Sequence, residues 1–328
     1  MKKVLGLGNA LVDVLLKVDD KFVEDLRFKK GSMNHIDKMM LENIIDKTRN
    51  IKKSLITGGS VANSINGLAK LGVKTGYLGK VGNDENGEFF NQCMIDNNIN
   101  AKLFRGNAGT GTAVCMISKD SERTFATYLG SSIELRPDDL YPELFENYEY
   151  FYLEGYMVQD HKLVQRALEL ARNAGALIAI DLASFNIVEE NRDFLIDMTE
   201  KYIDIVFANE DEAKAFTGYT DPDKALEKIS EYCDIAVVKI GSRGSLIKSK
   251  NNEIYKIEPI SAVPADTTGA GDLYASGFFY GLVLGLPLDV CGNIGSLLAG
   301  KIVEVIGAKL DDNSWEEIKK DIKKIINS

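Results

Sequence analysis

The chain has 328 residues, of which 45% are hydrophobic and 27% are charged, and its formal net charge at neutral pH is −10. This composition is that of a globular protein long enough for one large α/β domain with an appendage, or for two ordinary domains. An acidic chain is a poor partner for nucleic acid or for an anionic membrane surface. A site for an anionic substrate would therefore need local positive potential from helix N-termini or from a few basic residues.

Four cysteines are scattered along the chain, and its two histidines lie far apart. They predict buried thiols rather than a disulfide framework, and no cluster has the spacing of zinc ligands. Lys2 and Lys3 precede an apolar stretch, as in a signal peptide, but Asn9 and Asp13 interrupt it and no cleavage site follows. The longest apolar run, at about 278–288, is too short to span a bilayer. We therefore expect a cytoplasmic protein.

Short buried strands alternate with helices along most of the chain. In chain order, the pattern predicts strands at 4–7, 75–79, 150–153, 177–180, 203–207 and 235–240. Helices are predicted at 37–52 and 61–71, after residue 83, and from about residues 161, 188, 209 and 222. Strands at this spacing, separated by helices, indicate a mostly parallel sheet that is covered on both faces.

Two regions interrupt this alternation. The stretch 11–18 is strand-like, and the segments 112–118 and 123–129 predict a hairpin. We interpret the segments at about 10–36 and 105–130 as a small β-rich lid beside the main sheet. After residue 240 the pattern predicts a hairpin at 245–257 and helices at 271–284, 287–305 and 315–326. Residues 1–328 are thus predicted to form a single α/β domain with a lid.

The segment from Asp266 to Asp272, with the sequence DTTGAGD, points most directly to chemistry. Gly269, Ala270 and Gly271 open an apolar helix, where small residues allow backbone N–H groups to approach an anion and the helix dipole adds positive potential. Asp272 lies in the first helical turn and faces the same place, so it is positioned to accept a proton from a substrate hydroxyl. A capped turn would explain the three small residues alone, but it requires neither this aspartate nor the preceding threonine pair.

This segment closely resembles the C-terminal signature of the PfkB, or ribokinase-like, family of carbohydrate and nucleoside kinases, and the resemblance extends over essentially the whole chain. It implies transfer of the γ-phosphate of ATP to a hydroxyl group, with Asp272 as the catalytic base. It also implies that Gly269, Ala270 and Gly271 form the anion hole for the transferring group. The implied fold is a ribokinase-like three-layer α/β/α arrangement with a mostly parallel sheet and a small β-rich lid.

Two further elements resemble the family's acceptor site. Gly58, Gly59 and Asn63 look like its Gly-Gly…Asn element, with a valine where the commonest pattern has a small residue. The resemblance implies that the glycines form a hinge for lid closure and that the asparagine contacts substrate hydroxyls. Asn9 and Asp13 belong to an early element whose aspartate binds two ring hydroxyls. Taken alone, the glycines fit a helix-entry turn, and the aspartate fits a solvated charge on the lid.

On the nucleotide side, Asn209 and Glu212 match the family's Asn-x-x-Glu, which orders the water molecules around Mg²⁺. In isolation, the same pair fits a helix capping box better. Lys239, Gly241 and Gly244 resemble the strand and turn beside the nucleotide, although in isolation the two glycines fit plain turn residues. The predicted ATP site is completed by Thr267, Gly269, Gly271 and Asn293.

Two single residues complete the predicted site. Arg123 aligns by context with a lid arginine that reaches the γ-phosphate when the lid closes, although it also fits an exposed hairpin arginine. Glu154 follows a predicted strand, where active-site residues of open parallel sheets often lie. We include both among the candidates for substrate binding.

The acceptor elements look most like those of bacterial adenosine-kinase-like members, which implies the 5′-hydroxyl of adenosine as the acceptor. A sugar such as ribose, fructose or 2-keto-3-deoxygluconate is the alternative within this class. A non-catalytic ligand sensor on the same fold is the alternative outside it. The resemblance implies ATP and Mg²⁺ and allows a monovalent cation such as K⁺, for which residues 305–308 are a candidate segment. It also allows either a monomer or a lid-mediated homodimer.

Overall fold

The computed structural model describes residues 2–120, 122–305, 307 and 309–327. The strands β1 to β14 lie at Val4–Leu7, Leu11–Lys17, Met33–His35, Lys53–Gly58, Thr75–Val81, Asn100–Arg105, Gly111–Ile117, Arg123–Tyr128, Tyr150–Glu154, Leu177–Asp181, Ile205–Asn209, Ile235–Lys239, Ser245–Ser249 and Ile254–Ile257. The helices α1 to α12 lie at Asp20–Asp25, Lys38–Lys47, Ser60–Lys70, Glu85–Asp96, His161–Asn173, Phe185–Glu190, Arg192–Tyr202, Glu210–Thr217, Pro222–Ile229, Ala270–Leu284, Leu288–Ile302 and Asp312–Asn327.

The larger sheet has the strand order β14-β13-β12-β11-β10-β9-β1-β5-β6 and is parallel from β12 to β6. Its side chains alternate between two apolar cores, as β9 illustrates. Phe151 and Leu153 pack with α5, α7, α8 and α9, whereas Tyr150 and Tyr152 pack with α3, α4, α10 and α11. Such alternating burial on both faces confirms the predicted three-layer α/β/α fold.

The smaller sheet has the order β3-β8-β7-β2-β4. One of its faces packs against α1 and α2, through a cluster that includes Val14, Val114 and Ile44. The predicted hairpin is present, but β4 was absent from the predicted lid segments, and the helix predicted at 37–52 ends at Lys47. Because β4 is a partly exposed edge strand without clear alternation, its sequence gave little indication of a strand.

Two helices begin where the two sheets meet. Gly59 precedes α3 with a φ of +95°, and Gly269 precedes α10 with a φ of +79°, a backbone conformation that favours glycine. The helices then pack closely, since a Cβ atom on Gly67 of α3 would lie 2.5 Å from Oγ of Ser276 on α10. Their N-termini therefore point into one region. Within the described ranges, none of the helices combines the length and apolar character needed to cross a bilayer.

Candidate active site

A cavity of about 1280 Å³ lies between the larger sheet and the smaller one. Polar residues at the carboxyl ends of five parallel strands line it: Asn9, Glu154, Asp181, Asn209 and Lys239. In an open α/β sheet, ligands bind at this edge. The cavity is therefore the candidate active site.

Asp272 lies in the first turn of α10 and is held by two side chains of α3. The hydroxyl of Ser60 donates to its Oδ1 at 2.6 Å, and Nδ2 of Asn63 donates to its Oδ2 at 2.8 Å. Burial raises the pKa of Asp272 to about 6, against the lowering effect of these two hydrogen bonds. A carboxylate in this state is mostly ionised at neutral pH yet basic enough to accept a proton.

The start of α10 forms a cradle next to this carboxylate. Thr268, Gly269 and Gly271 line the cavity at the N-terminus of a helix of 15 residues. Nζ of Lys239 lies 3.1 Å from the position that a Cβ atom on Gly271 would take. Backbone N–H groups and an ammonium group thus converge on one place, and this combination fits a phosphate group.

Lys239 belongs to a cluster of charges beside the cradle. Its Nζ donates to Oδ2 of Asp181 at 2.7 Å. Burial opposes the charge of Lys239, but the carboxylates of Asp181 and Glu212 hold its pKa above the ordinary range. Burial, followed by the charge of Asp181, raises the pKa of Glu212. Lys239 is therefore a cation that stays protonated in a largely acidic pocket.

Asn209 and Glu212 form the capping box of α8 and also line the cavity. The amide N–H of Asn209 donates to Oε2 of Glu212 at 2.8 Å, and the N–H of Glu212 donates to Oδ1 of Asn209 at 2.9 Å. The described residues contain no group of three or more His, Cys, Asp or Glu side chains that could hold a metal ion directly. This donor set fits a hydrated cation better than a directly ligated one.

Asp13, which is half-buried, and Glu154, which is buried, add two carboxyl groups whose charges interact with that of Asp272. Burial and the charge of Asp272 raise the pKa of Asp13 to about 7, and burial raises that of Glu154 to about 7. Glu154 accepts hydrogen bonds from Nδ2 of Asn9 at 2.9 Å and from the N–H of Val61 at 3.2 Å. A Cβ atom on Gly58 would collide with the carboxylate of Asp13.

Apolar side chains line part of the cavity. Side chains from β2, β7, β8 and the segments that follow β8 and β9 form this part: Leu11, Ala113, Phe125, Leu129, Leu135 and Met157. The basic side chains Arg136 and Lys162 lie at the exposed rim, where Arg136 approaches Asp160 at 3.5 Å. We name these six apolar residues the acceptor wall.

Some predicted site residues do not line the cavity. The Arg123 guanidinium is bonded to Asp266, whose Oδ2 also accepts from the N–H of Gly307 at 2.8 Å. Arg123 therefore pairs with Asp266 and is not among the residues that line the cavity. Ile306 and Ala308, in the candidate segment for a monovalent cation, lie outside the described residues. The other predicted residues that do not line the cavity are Gly58, Gly244, Thr267, Ala270 and Asn293.

Several polar residues of the cavity were missed from the sequence, and Asp181, Ser60 and Thr268 lie nearest the predicted ones. Asp181 ends β10 just as Glu154 ends β9, so the rule that selected Glu154 applies to it equally. Ser60 stands inside the Gly-Gly…Asn element, and Thr268 within DTTGAGD. The sequence did not indicate the acceptor wall, because its six residues come from separate parts of the chain.

The chain belongs to the pfkB family of carbohydrate kinases, because the model of that family matches residues 33–315. It is therefore a kinase that transfers a phosphate group to an alcohol group of a sugar or nucleoside, and ATP is the donor that the family generally uses.

The similar proteins carry the names of sugar kinases and of adenosine kinases. Several relatives are named 5-dehydro-2-deoxygluconokinase. The one from Geobacillus thermodenitrificans is 28% identical over 270 residues, which is 75% of this chain and 78% of its own. The one from Clostridium perfringens is 28% identical over 297 residues, which is 85% of this chain and 87% of its own.

Solved structures match over nearly the full length. A probable sugar kinase from Rhizobium etli is 30% identical, with a TM-score of 0.88 and coverage of 98% of both chains. Adenosine kinase from Sinorhizobium meliloti is 30% identical, with a TM-score of 0.87 and coverage of 98% of this chain and 99% of its own.

Proposed function

We propose that this kinase phosphorylates the 5′-hydroxyl of adenosine or of a closely related nucleoside. The observation that carries the proposal is the acceptor wall, in which Phe125 and several leucines line the same cavity as Asp13. A nucleobase presents flat faces that stack well against aromatic and aliphatic side chains. A small sugar would instead place hydroxyl groups against this wall, where they would lose their hydrogen bonds with water.

The charges of the cavity also favour a neutral acceptor. Asp13, Glu154 and Asp272 line the cavity together with the acceptor wall and the cradle. The cation nearest the cradle, Lys239, is bonded to Asp181, and Arg136 lies at the exposed rim. A sugar acid would bring a carboxylate close to these acidic groups, at a cost in binding free energy. The relatives named 5-dehydro-2-deoxygluconokinase nevertheless make such an acid the second candidate.

The proposed reaction is an in-line transfer. Asp13 and Asn63 bind the ribose hydroxyls, so that the 5′-oxygen lies beside Asp272. As this oxygen bonds to the γ-phosphorus, its proton passes to the carboxylate of Asp272 and the bond from phosphorus to the departing ADP oxygen breaks. The N–H groups at Gly269 and Gly271, together with Lys239, stabilise the negative charge on the transferring group.

The nucleotide side completes the proposal. Asn209 and Glu212 would hold the water shell of Mg²⁺, which supplies charge neutralisation to the phosphates when it is bound. Gly241 and Lys239 line the same end of the cavity, so the phosphates and the metal would lie together there. Lid closure over the acceptor would exclude water and limit hydrolysis of ATP.

The test is an ADP-release assay with Mg²⁺ and ATP, run with and without K⁺. The acceptors are adenosine, other nucleosides, ribose, fructose, 2-keto-3-deoxygluconate and 5-dehydro-2-deoxygluconate. We expect turnover with adenosine and a loss of roughly 10²- to 10⁴-fold in kcat for Asp272→Asn, since that variant lacks the base. ATP binding should be retained in the variant. Turnover with a sugar but not with adenosine would refute the proposed acceptor, and full activity of Asp272→Asn would refute the mechanism.

A further inference from the structure

We propose that Ser60 is a positioning residue for phosphate transfer, because its hydroxyl, together with the amide of Asn63, fixes the orientation of the Asp272 carboxylate. This inference rests on the proposed role of Asp272 as the base. Ser60 Oγ lies 2.6 Å from Oδ1, and Asn63 Nδ2 lies 2.8 Å from Oδ2. Each carboxylate oxygen is thus held by its own donor.

Both donors come from one turn of one helix, and this turn is itself held. Gly59 provides the N-cap conformation of α3, and the N–H of Val61 donates to the buried carboxyl group of Glu154 at 3.2 Å. The donors therefore cannot move independently of each other. An isolated carboxylate would rotate about its Cβ–Cγ bond, whereas this one has two donors at a fixed spacing.

The main chain of Asp272 is held by a separate contact from the same helix. The hydroxyl of Ser64, one turn after Ser60, lies 2.9 Å from the carbonyl oxygen of Asp272. Ser276 Oγ in turn donates to the carbonyl oxygen of Ser64 at 2.9 Å. Ser64 and Ser60 thus both contact Asp272, but only Ser60 contacts its carboxylate. This difference provides a matched control.

The two hydrogen bonds leave the carboxylate able to react. Each carboxylate oxygen has two lone-pair sites, so one donor on each leaves a site for the proton of the acceptor hydroxyl. Burial and the charge of Asp181 favour the protonated form of Asp272, while Lys239 and the two hydrogen bonds favour the ionised form. Asp13 and Glu154 also face this carboxyl group, and each is coupled to its charge. Loss of the Ser60 hydroxyl should therefore raise the pKa of Asp272.

The first test compares Ser60→Ala, Ser60→Thr and Ser64→Ala in kcat/KM measured against pH. We expect Ser60→Ala to lower kcat about tenfold and to move the acidic limb of the profile upwards by about one pH unit, the size that one hydrogen bond to a charged group produces. Ser60→Thr keeps a hydroxyl and should restore the limb. Ser64→Ala should lower the free energy of unfolding without moving the acidic limb. An unmoved limb in Ser60→Ala, or an equal shift in Ser64→Ala, would overturn the inference.

The second test needs no acceptor. Carboxyl-¹³C-labelled aspartate is titrated by NMR in the protein without substrates, and the Asp272 signal is assigned by its absence from Asp272→Asn. Ser60→Ala should titrate about one pH unit higher than the parent protein, and Ser60→Thr should match the parent. Identical titration of Ser60→Ala and the parent would refute the positioning role, even if the acceptor panel had already excluded adenosine.

Discussion

Carboxyl groups that line the cavity give the protein a predicted effect of pH on stability. Asp13, Glu154, Glu212 and Asp272 have pKa values raised to about 7, 7, 7 and 6, mainly by burial. At these groups the folded protein binds more protons than the unfolded chain between about pH 4 and pH 7, so they lower its free energy of unfolding as the pH rises through this window. Above about pH 7 these groups should contribute no further change.

This prediction is checked by urea unfolding at fixed temperature from pH 4.5 to 8. Chemical unfolding is preferable because about 1 kcal/mol moves the melting midpoint of a chain this long by only roughly 2 °C. Asp13→Asn removes one group that is costly to ionise, so its stability should fall less steeply with pH than that of the parent protein. Asp120→Asn is a control, because Asp120 is an exposed carboxylate outside the cavity. A parent stability that rises from pH 5 to 7 would contradict the argument.

The packing of α3 against α10 determines the distance between Asp272 and the side chains that hold it. A Cβ atom on Gly67 would lie 2.5 Å from Oγ and 3.0 Å from Cβ of Ser276, so even a small side chain would force the helices apart. We expect Gly67→Val to cost about 1–3 kcal/mol of stability through overpacking. It should also lower kcat, because it moves the first turn of α3 away from Asp272.

The check combines kcat with chemical unfolding for Gly67→Val and Lys70→Ala. Lys70 is the last residue of α3 and forms an exposed ion pair with Asp312. Its replacement should change stability by less than about 0.5 kcal/mol and leave kcat unchanged. If Gly67→Val lost stability but kept the parent kcat, close packing of the helices would not be what positions the base.

The sequence predicted those elements whose signal is local. The strand at Val4–Leu7 was predicted with its observed bounds, and the hairpin strands β7 and β8 to within one residue at each end, because they are apolar and bounded by turn residues. Asn100–Arg105 was missed, because it is an edge strand with half its residues exposed. Edge strands need less apolar sequence than central ones, and their pairing depends on the rest of the sheet.

The same limit applies to the site. The DTTGAGD segment could be interpreted from the sequence because its functional residues are consecutive in the chain. The bond between Ser60 and Asp272 joins residues 212 positions apart, and the acceptor wall combines two strands of the hairpin with β2 and later segments. No spacing in the sequence encodes such contacts, since they depend on how α3 and the smaller sheet dock onto the larger one.

At the scale of the whole molecule, the smaller sheet determines which surfaces are free for association. Its outer face is covered by α1 and α2, with Val23 and Ile44 buried against Val14, Val114 and Met116. Its inner face closes the cavity through Leu11, Ala113 and Phe125. Contacts within one chain thus occupy most of both faces, although Leu55, which pairs with Val14, is 43% exposed. Of the two oligomeric states that the sequence left open, we predict the monomer.

We therefore expect light scattering after size exclusion to give the mass of one chain across a wide range of protein concentrations. Ile44→Asp would place a charge in the apolar layer beneath α2, so it should loosen this helix and expose the outer face of the smaller sheet. The matched change Asn43→Asp, at the exposed neighbouring position, should leave the mass unchanged. A stable dimer of the parent protein that Ile44→Asp dissociates would show that α2 and the smaller sheet support an interface. A monomer in the parent together with concentration-dependent association of Ile44→Asp would show that the two helices keep the sheet from pairing with a second copy.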